Sequence, residues 1–148
     1  MKKTFPQKVF IALAVAALAL AAAACGSGGP ADPGKEVKSA PAGNNLTAVI
    51  SSADGALRNG DQEFVLAFKD ASGKAVEVGA ASLNFYMPAM GTMPAMNDPA
   101  TLTTTSTPGV YRARVKFEAA GDWQGQLTYE GPAGKGKANI PVTVQQGR

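Results

Sequence analysis

The sequence of 148 residues predicts an all-β fold, an immunoglobulin-like antiparallel sandwich of about seven strands without a disulfide. Three observations lead to this prediction. From residue 44 onward, apolar and polar residues alternate with a period of two, which is typical of strands buried on one face. Turn signals rich in Gly, Pro and Asp separate the alternating runs. The chain contains a single Cys, so an internal disulfide is excluded.

The first segment of the chain resembles a bacterial export signal. Three lysines lie within the first eight residues, and an apolar run rich in Ala and Leu follows up to Ala24. The run is shorter than the ~20 residues that cross a bilayer, and it ends in small residues, which is typical of a cleaved signal. We therefore predict a lipoprotein signal peptide over residues 1–24 and lipidation of Cys25, which follows directly. The alternatives are secretion with an unmodified Cys and an uncleaved membrane anchor.

Removal of this segment changes the charge of the chain. The whole sequence has a formal net charge of +3, and the first 24 residues contain three Lys and no acidic residue. The remaining chain therefore carries equal numbers of basic and acidic residues. Binding to nucleic acid through bulk charge loses its support, so no nucleic-acid partner is expected.

The residue types present also restrict the chemistry. The chain contains no His, which excludes Ser-His-Asp triads and His-ligated zinc. No acid–base pair or nucleophile with a partner stands out elsewhere, and the Asp residues, including Asp98, mostly stand beside Gly, Ser or Pro, as in turns. We therefore predict a protein that is not an enzyme.

Residues 25–43 are expected to form a flexible tether between the lipidated Cys and the domain. Gly and Pro dominate this stretch, and Val37 is its only sizeable apolar side chain. Such a composition cannot bury enough apolar surface to offset the entropy lost on ordering. The domain is therefore expected to occupy residues 44–148.

Six alternating runs predict strands within the domain, and their aromatic residues would supply the core in place of a disulfide. The side chains predicted to face inward are Leu46, Ala48 and Ile50, Phe64, Leu66 and Phe68, Ala81, Leu83 and Phe85, Tyr111, Ala113, Val115 and Phe117, Trp123, Gly125, Leu127 and Tyr129, and Ile140, Val142 and Val144. Residues 70–73 and 131–134 carry turn signals. Arg112, Arg114 and Lys116 alternate with inward residues, so they are interpreted as the solvated face of a strand.

Residues 87–96 consist of two copies of Met-Pro-Ala-Met joined by Gly91 and Thr92. Four methionines therefore recur at a spacing of three, namely Met87, Met90, Met93 and Met96. Proline cannot donate to a strand ladder, so irregular chain of polyproline type is expected, in which residues three apart point the same way. That conformation would place the four thioethers on one edge. A reversal at Gly91 would fold the two copies against each other.

The thioether group predicts the kind of ion that this segment would hold. Thioethers are soft, uncharged and not protonated at ordinary pH, and soft sulfur ligands select Cu(I). They also persist in oxidising compartments, where thiols form disulfides. The four methionines therefore predict a site for Cu(I), with Ag(I) expected to behave similarly. The alternatives are methionines that fill gaps in the core, a contact surface for another protein, and a connecting loop without a ligand.

Three stretches of the chain resemble a known family. They are the run Phe-Val-Leu-Ala-Phe at 64–68 with its Asp-Ala-Ser-Gly turn, the run Phe-Tyr-Met-Pro-Ala-Met-Gly at 85–91, and the segment 109–123 with Gly-Val-Tyr and Gly-Asp-Trp. With them, residues 45–144 resemble the YtkA-like group, which is related to the FixH-like proteins. These are exported or membrane-anchored β-sandwich domains of bacteria. Met87, Met90 and Gly91 match the motif of the family. Met93 and Met96 belong to the second copy of Met-Pro-Ala-Met, where the family is less uniform.

The resemblance implies copper or heavy-metal handling at the bacterial cell envelope. It also implies partners of two kinds, heavy-metal efflux adaptors and proteins that assemble cytochrome oxidase. Together with the residues, it predicts a monomeric protein, exported and lipid-anchored at the periplasmic face or the cell surface, that holds or delivers Cu(I). The alternative is an interaction module that binds no metal and docks its Met-Pro edge onto one of those partners.

Overall fold

A computed structural model describes residues 32–147, which fold as nine strands. The predicted signal peptide and Cys25 lie outside the described residues. The strands are β1 (Lys35–Gly43), β2 (Leu46–Ser52), β3 (Leu57–Arg58), β4 (Gly60–Lys69), β5 (Ala80–Met87), β6 (Met96–Thr104), β7 (Val110–Phe117), β8 (Gly121–Gly131) and β9 (Gly134–Gln145). The all-β prediction is confirmed, with nine strands in place of about seven.

The strands form two layers that are joined through β6. The strand order is β1-β2-β4-β7-β6-β5-β8-β9-β3, and every neighbouring pair is antiparallel except β3 with β9. The first half of β6 pairs with β5, and residues 101–104 pair with β7. A strand that passes from one sheet to the other forms a corner of a sandwich. Because β1 also lies beside β9, the sheet is nearly closed.

The space between the layers is filled by the side chains that the alternation predicted to face inward. Phe68, Phe85, Phe117 and Trp123 are each less than 2% exposed. Phe85 and Phe117 meet edge to face with ring centroids 4.9 Å apart, and Phe117 lies 5.4 Å from the Trp123 ring. Such aromatic pairs stabilise a core beyond the area that they bury.

The outward face of β7 is solvated, as predicted. Arg112, Arg114 and Lys116 are exposed, and Arg114 forms an ion pair of 3.1 Å with Glu63 of the neighbouring strand. The turn at residues 70–73 is also confirmed. The hydroxyl of Ser72 and the backbone N–H of Lys74 donate to the Asp70 carboxylate, and these hydrogen bonds lower the pKa of Asp70 below its ordinary value.

The prediction of a flexible tether over residues 25–43 is wrong for residues 35–43, which form β1. The side chains of β1 are mostly exposed, so the composition argument correctly finds little apolar burial. The backbone is nevertheless ordered, because it pairs with β2 along the whole strand. Asn44 and Asn45 close this hairpin with φ values of 52° and 58°. Two central residues with positive φ are typical of a type I′ turn, and this Asn pair is the sequence signal for β1.

Two other strands have no clear alternation and were not predicted. β3 contains only two residues and pairs with the end of β9. β6 reads Met-Asn-Asp-Pro-Ala-Thr-Leu-Thr-Thr, and its two halves belong to different layers. A strand that changes its partner midway also changes the environment of each face, so it shows no continuous period of two.

The Tyr129 hydroxyl fastens β1 to the second layer. It donates to the Ala42 carbonyl at 2.8 Å and accepts a hydrogen bond of 3.1 Å from the Asn44 side chain. Replacing Tyr129 with Phe removes both bonds and leaves the buried end of β1 without its partner. We expect Tyr129→Phe to lower the free energy of unfolding by about 1–3 kcal/mol, measured by urea denaturation.

The matched control is Tyr86→Phe, because Tyr86 is half-buried on the outward face of β5. This control should change the free energy of unfolding by less than about 0.5 kcal/mol. Equal effects of the two variants would show that the Tyr129 hydroxyl does not hold β1 in place.

Candidate metal site

Residues 87–96, called the methionine hairpin below, connect β5 to β6. Met87 lies opposite Met96 in the last ladder pair of the two strands. Beyond this pair, Met90 and Met93 exchange two backbone hydrogen bonds, of 3.1 and 2.9 Å. The two copies of Met-Pro-Ala-Met therefore lie antiparallel, in the register of the strands that lead into them. The predicted reversal between the copies is confirmed.

The reversal takes place at Gly91 and Thr92. Gly91 has a φ of 55°, while Thr92 keeps a negative φ, a combination typical of a two-residue type II′ turn with Gly in the first central position. A Cβ atom built on Gly91 would meet no atom within 4 Å. The turn therefore requires glycine for its backbone conformation and not for space.

Proline explains why the ladder is interrupted between the two methionine pairs. Hydrogen-bonded and non-hydrogen-bonded pairs alternate along an antiparallel ladder. Since Met90 and Met93 form a hydrogen-bonded pair, the next such position would pair Pro88 with Ala95. Pro88 has no N–H to donate across the hairpin, and β5 accordingly ends at Met87.

The four predicted ligands divide into two cross-strand pairs with different environments. Met87 is 2% exposed, and its Cε methyl lies 3.0 Å from the position that a Cβ on Gly121 would take. Met96 is half-buried against the core. Met90 and Met93 are 56% and 45% exposed. The expectation of four thioethers along one edge is therefore wrong, because the strand conformation persists and buries Met87.

The exposed pair has the geometry for a shared ligand. Residues directly opposite on antiparallel strands have Cβ atoms ~4.5–5.5 Å apart, and methionine adds three rotatable bonds to a polarizable sulfur. Two such side chains can place their sulfurs on one ion between them. The buried pair lies three residues away, about 10 Å along the strands. Met96 shares the core-side face with Met87, so the exposed pair offers two sulfurs.

A buried carboxylate connects β6 to the β7–β8 turn at the end of the sandwich where the hairpin lies. Asp98 of β6 is 6% exposed, and its Oδ2 atom accepts a hydrogen bond of 3.0 Å from the backbone N–H of Glu118. In the same β7–β8 turn, the indole N–H of Trp123 donates to the Ala119 carbonyl at 3.1 Å. Asp98 is therefore a structural residue within a strand, where its neighbour Pro had suggested a turn.

Two other features would bear on function, namely a cluster of charged metal ligands and a membrane-spanning helix. In the part of the chain that the structure describes, no three His, Cys, Asp or Glu side chains are grouped so that they could hold a metal ion. Over the same residues, 32–147, we find no helix with the length and apolarity needed to span a membrane.

A family model described as YtkA-like matches residues 41–128. The match covers more than half of the chain and extends from the end of β1 into β8, so it includes the methionine hairpin. No curated protein and no solved structure matches the chain.

The two methionine pairs should differ in their effect on stability. Met87→Ala leaves a cavity in the core and should lower the free energy of unfolding by about 2–5 kcal/mol. Met90→Ala and Met93→Ala remove exposed side chains, so each should change it by less than about 0.5 kcal/mol. Urea denaturation of the three variants tests the assignment. A cost for Met90→Ala as large as that for Met87→Ala would contradict it.

Proposed function

The chain belongs to the YtkA-like family, and from this premise we propose that it holds or delivers Cu(I) through its methionine hairpin. One observation carries the proposal. Met90 and Met93 lie directly opposite each other and are both exposed. A thioether that served only to fill the core would be buried, as Met87 is.

The chemistry of the hairpin supports a soft monovalent ion. The stretch from Pro88 to Ala95 contains no charged or titratable side chain, so its side chains offer the sulfurs of Met90 and Met93 as the soft donors. Neutral thioethers bind Cu(I) without gathering negative charge in one place, and soft sulfur ligands select Cu(I) over harder ions. Met96 lies opposite Met87 and packs against the core, so it supports the base of the hairpin. Met87 supports the hairpin from within the core.

The openness of the site suits a carrier or a buffer. Both exposed sulfurs remain accessible to an incoming ligand, so the ion can leave by exchange without opening the core. Thioethers also form no disulfides, so they remain available as ligands in compartments where thiols are lost to them. In this role the protein is a monomeric, non-enzymatic lipoprotein of the bacterial cell envelope, anchored through Cys25.

A second candidate function uses the same hairpin as a contact surface for another protein. Among the described residues, Met90 and Met93 are the exposed large apolar side chains, and methionine is common at adaptable protein surfaces. The partner in this case would be an efflux adaptor or a protein that assembles cytochrome oxidase. Leucine separates the two candidates, because it keeps the apolar area and removes the sulfur.

We expect the double variant Met90→Leu with Met93→Leu to lose Cu(I) affinity. Removing a residue that only hydrogen-bonds to a metal ligand already lowers metal affinity ~10–100-fold. Removing two ligands should therefore lower it at least as much. Competition with a chromophoric Cu(I) chelator, under conditions that exclude oxygen, measures the affinity. Ag(I) should follow the same order among the variants.

The matched control is Met87→Leu, which also replaces a methionine with leucine but in the core. It should keep the affinity of the parent chain. Unchanged affinity after replacement of all four methionines by Leu would rule out the thioether site and favour the contact surface.

The affinity for Cu(I) should also be nearly constant as the pH falls. Thioether sulfur carries no proton at ordinary pH, so protons do not compete with the ion, whereas imidazole and thiolate ligands are protonated as the pH falls. The same competition experiment at about pH 7 and about pH 5 tests this. A tenfold or greater loss of affinity at the lower pH would contradict an all-thioether site.

A further inference from the structure

The methionine hairpin lies at the same end of the sandwich as the start of β1. Neighbouring strands of the first layer run antiparallel in the order β1-β2-β4-β7-β6. The first residue of β1, the last residue of β7 and the first residue of β6 therefore share one end, called the hairpin end below. The turns at residues 44–45, 70–73 and 131–134 form the opposite end.

The length of the strands sets the distance between the two ends. β8 runs from the hairpin end at Gly121 to the opposite end at Gly131, a strand of 11 residues. At about 3.3 Å per residue, the ends are separated by roughly 33 Å. The ten residues before β1, from Cys25 to Gly34, span at most about 35 Å even when fully extended.

A membrane attachment at Cys25 therefore restricts how the domain can face the membrane. The hairpin end can lie beside the surface without any stretching of those ten residues, because the chain enters the domain there. If the strands stand upright with the opposite end against the surface, the ten residues before β1 must be stretched to nearly their full length. The same restriction holds if the signal segment stays uncleaved as a membrane anchor.

The charges at the hairpin end argue against lipid as the surface that the hairpin meets. The exposed acidic residues of this end and its connections are Asp32, Glu36, Asp54, Asp61, Glu118 and Asp122. Among the described residues of this end, the basic side chains are Lys35, Arg58 and Lys116, and Arg58 is already paired with Asp54 at 2.7 Å. Anionic lipid head groups attract basic clusters, so this acidic rim disfavours contact with them.

We propose that the methionine hairpin faces the membrane and passes its ion to a protein embedded there. The partner would carry soft ligands in a site that opens at the membrane surface, within a basic rim that complements the acidic one. Transfer proceeds by exchange of thioether ligands for those of the partner, so copper stays Cu(I) throughout. This inference rests on the proposed function, since it needs both the anchor and the ion.

The orientation is tested on the full-length chain, purified from bacterial membranes and placed in vesicles of phosphatidylethanolamine and phosphatidylglycerol. One variant, Thr92→Cys, carries a fluorophore at the tip of the hairpin. Its matched control, Ala71→Cys, carries the same fluorophore at an exposed position of the opposite end. Energy transfer to acceptors on lipid head groups then reports which end lies nearer to the membrane. No copper is present in this measurement.

We expect severalfold more energy transfer from the label at position 92 than from the label at position 71. Equal transfer, the reverse order, or failure of the full-length chain to associate with the vesicles would each overturn the orientation. None of these results would change the outcome of the Cu(I) competition experiment. A failure of the orientation can therefore be distinguished from a failure of the proposed function.

The same labelled chain distinguishes a protein partner from lipid. Vesicles that contain lipids brominated in the acyl chains quench a fluorophore only where it enters the apolar layer. The label at position 92 should remain unquenched. Strong quenching there would show that the hairpin inserts into lipid, and it would overturn the assignment of a protein partner.

Discussion

The arrangement of the methionines depends on one unbroken strand register. From Leu83 opposite Ala100 to Met90 opposite Met93, every pair in β5, β6 and the methionine hairpin keeps the same offset. Side chains alternate between the two faces of a strand, so residues an odd number apart lie on opposite faces. Phe85 faces the core, hence Met87 does as well, and Met90, three residues on, is exposed.

The spacing of three therefore has a different meaning in a strand than in a polyproline helix. In a helix with three residues per turn, the four thioethers would lie in one row. In a strand hairpin, the same spacing gives one buried pair and one exposed pair. A slip of the register by a single residue would exchange the two faces. Gly91 prevents such a slip. Its positive φ fixes Gly91 and Thr92 as the two central residues of the turn, and the position of the turn sets the register.

The sequence predicts the strands that alternate and misses those that do not. The runs around Tyr111 and Trp123 each bury one face against the same core, so their pattern is clear. β1 lies at the margin of its sheet and is held by backbone pairing, which leaves no apolar period to read. At the site, the four methionines and their reversal are visible in the sequence. The burial of Met87 is not, because it depends on whether strand or polyproline conformation continues through Pro88.

The division between the two pairs explains how an exposed site can also be an ordered one. Met87 and Met96 fix the base of the hairpin against the core, and two backbone hydrogen bonds fix its tip. Holding the backbone of two ligands in place before binding reduces the entropy that is lost when the ion binds. The exposed sulfurs meanwhile stay open to an incoming ligand, so the fold can retain the site while the ion leaves. The buried methionines thus contribute to binding through the position of the exposed ones and not through their own sulfurs.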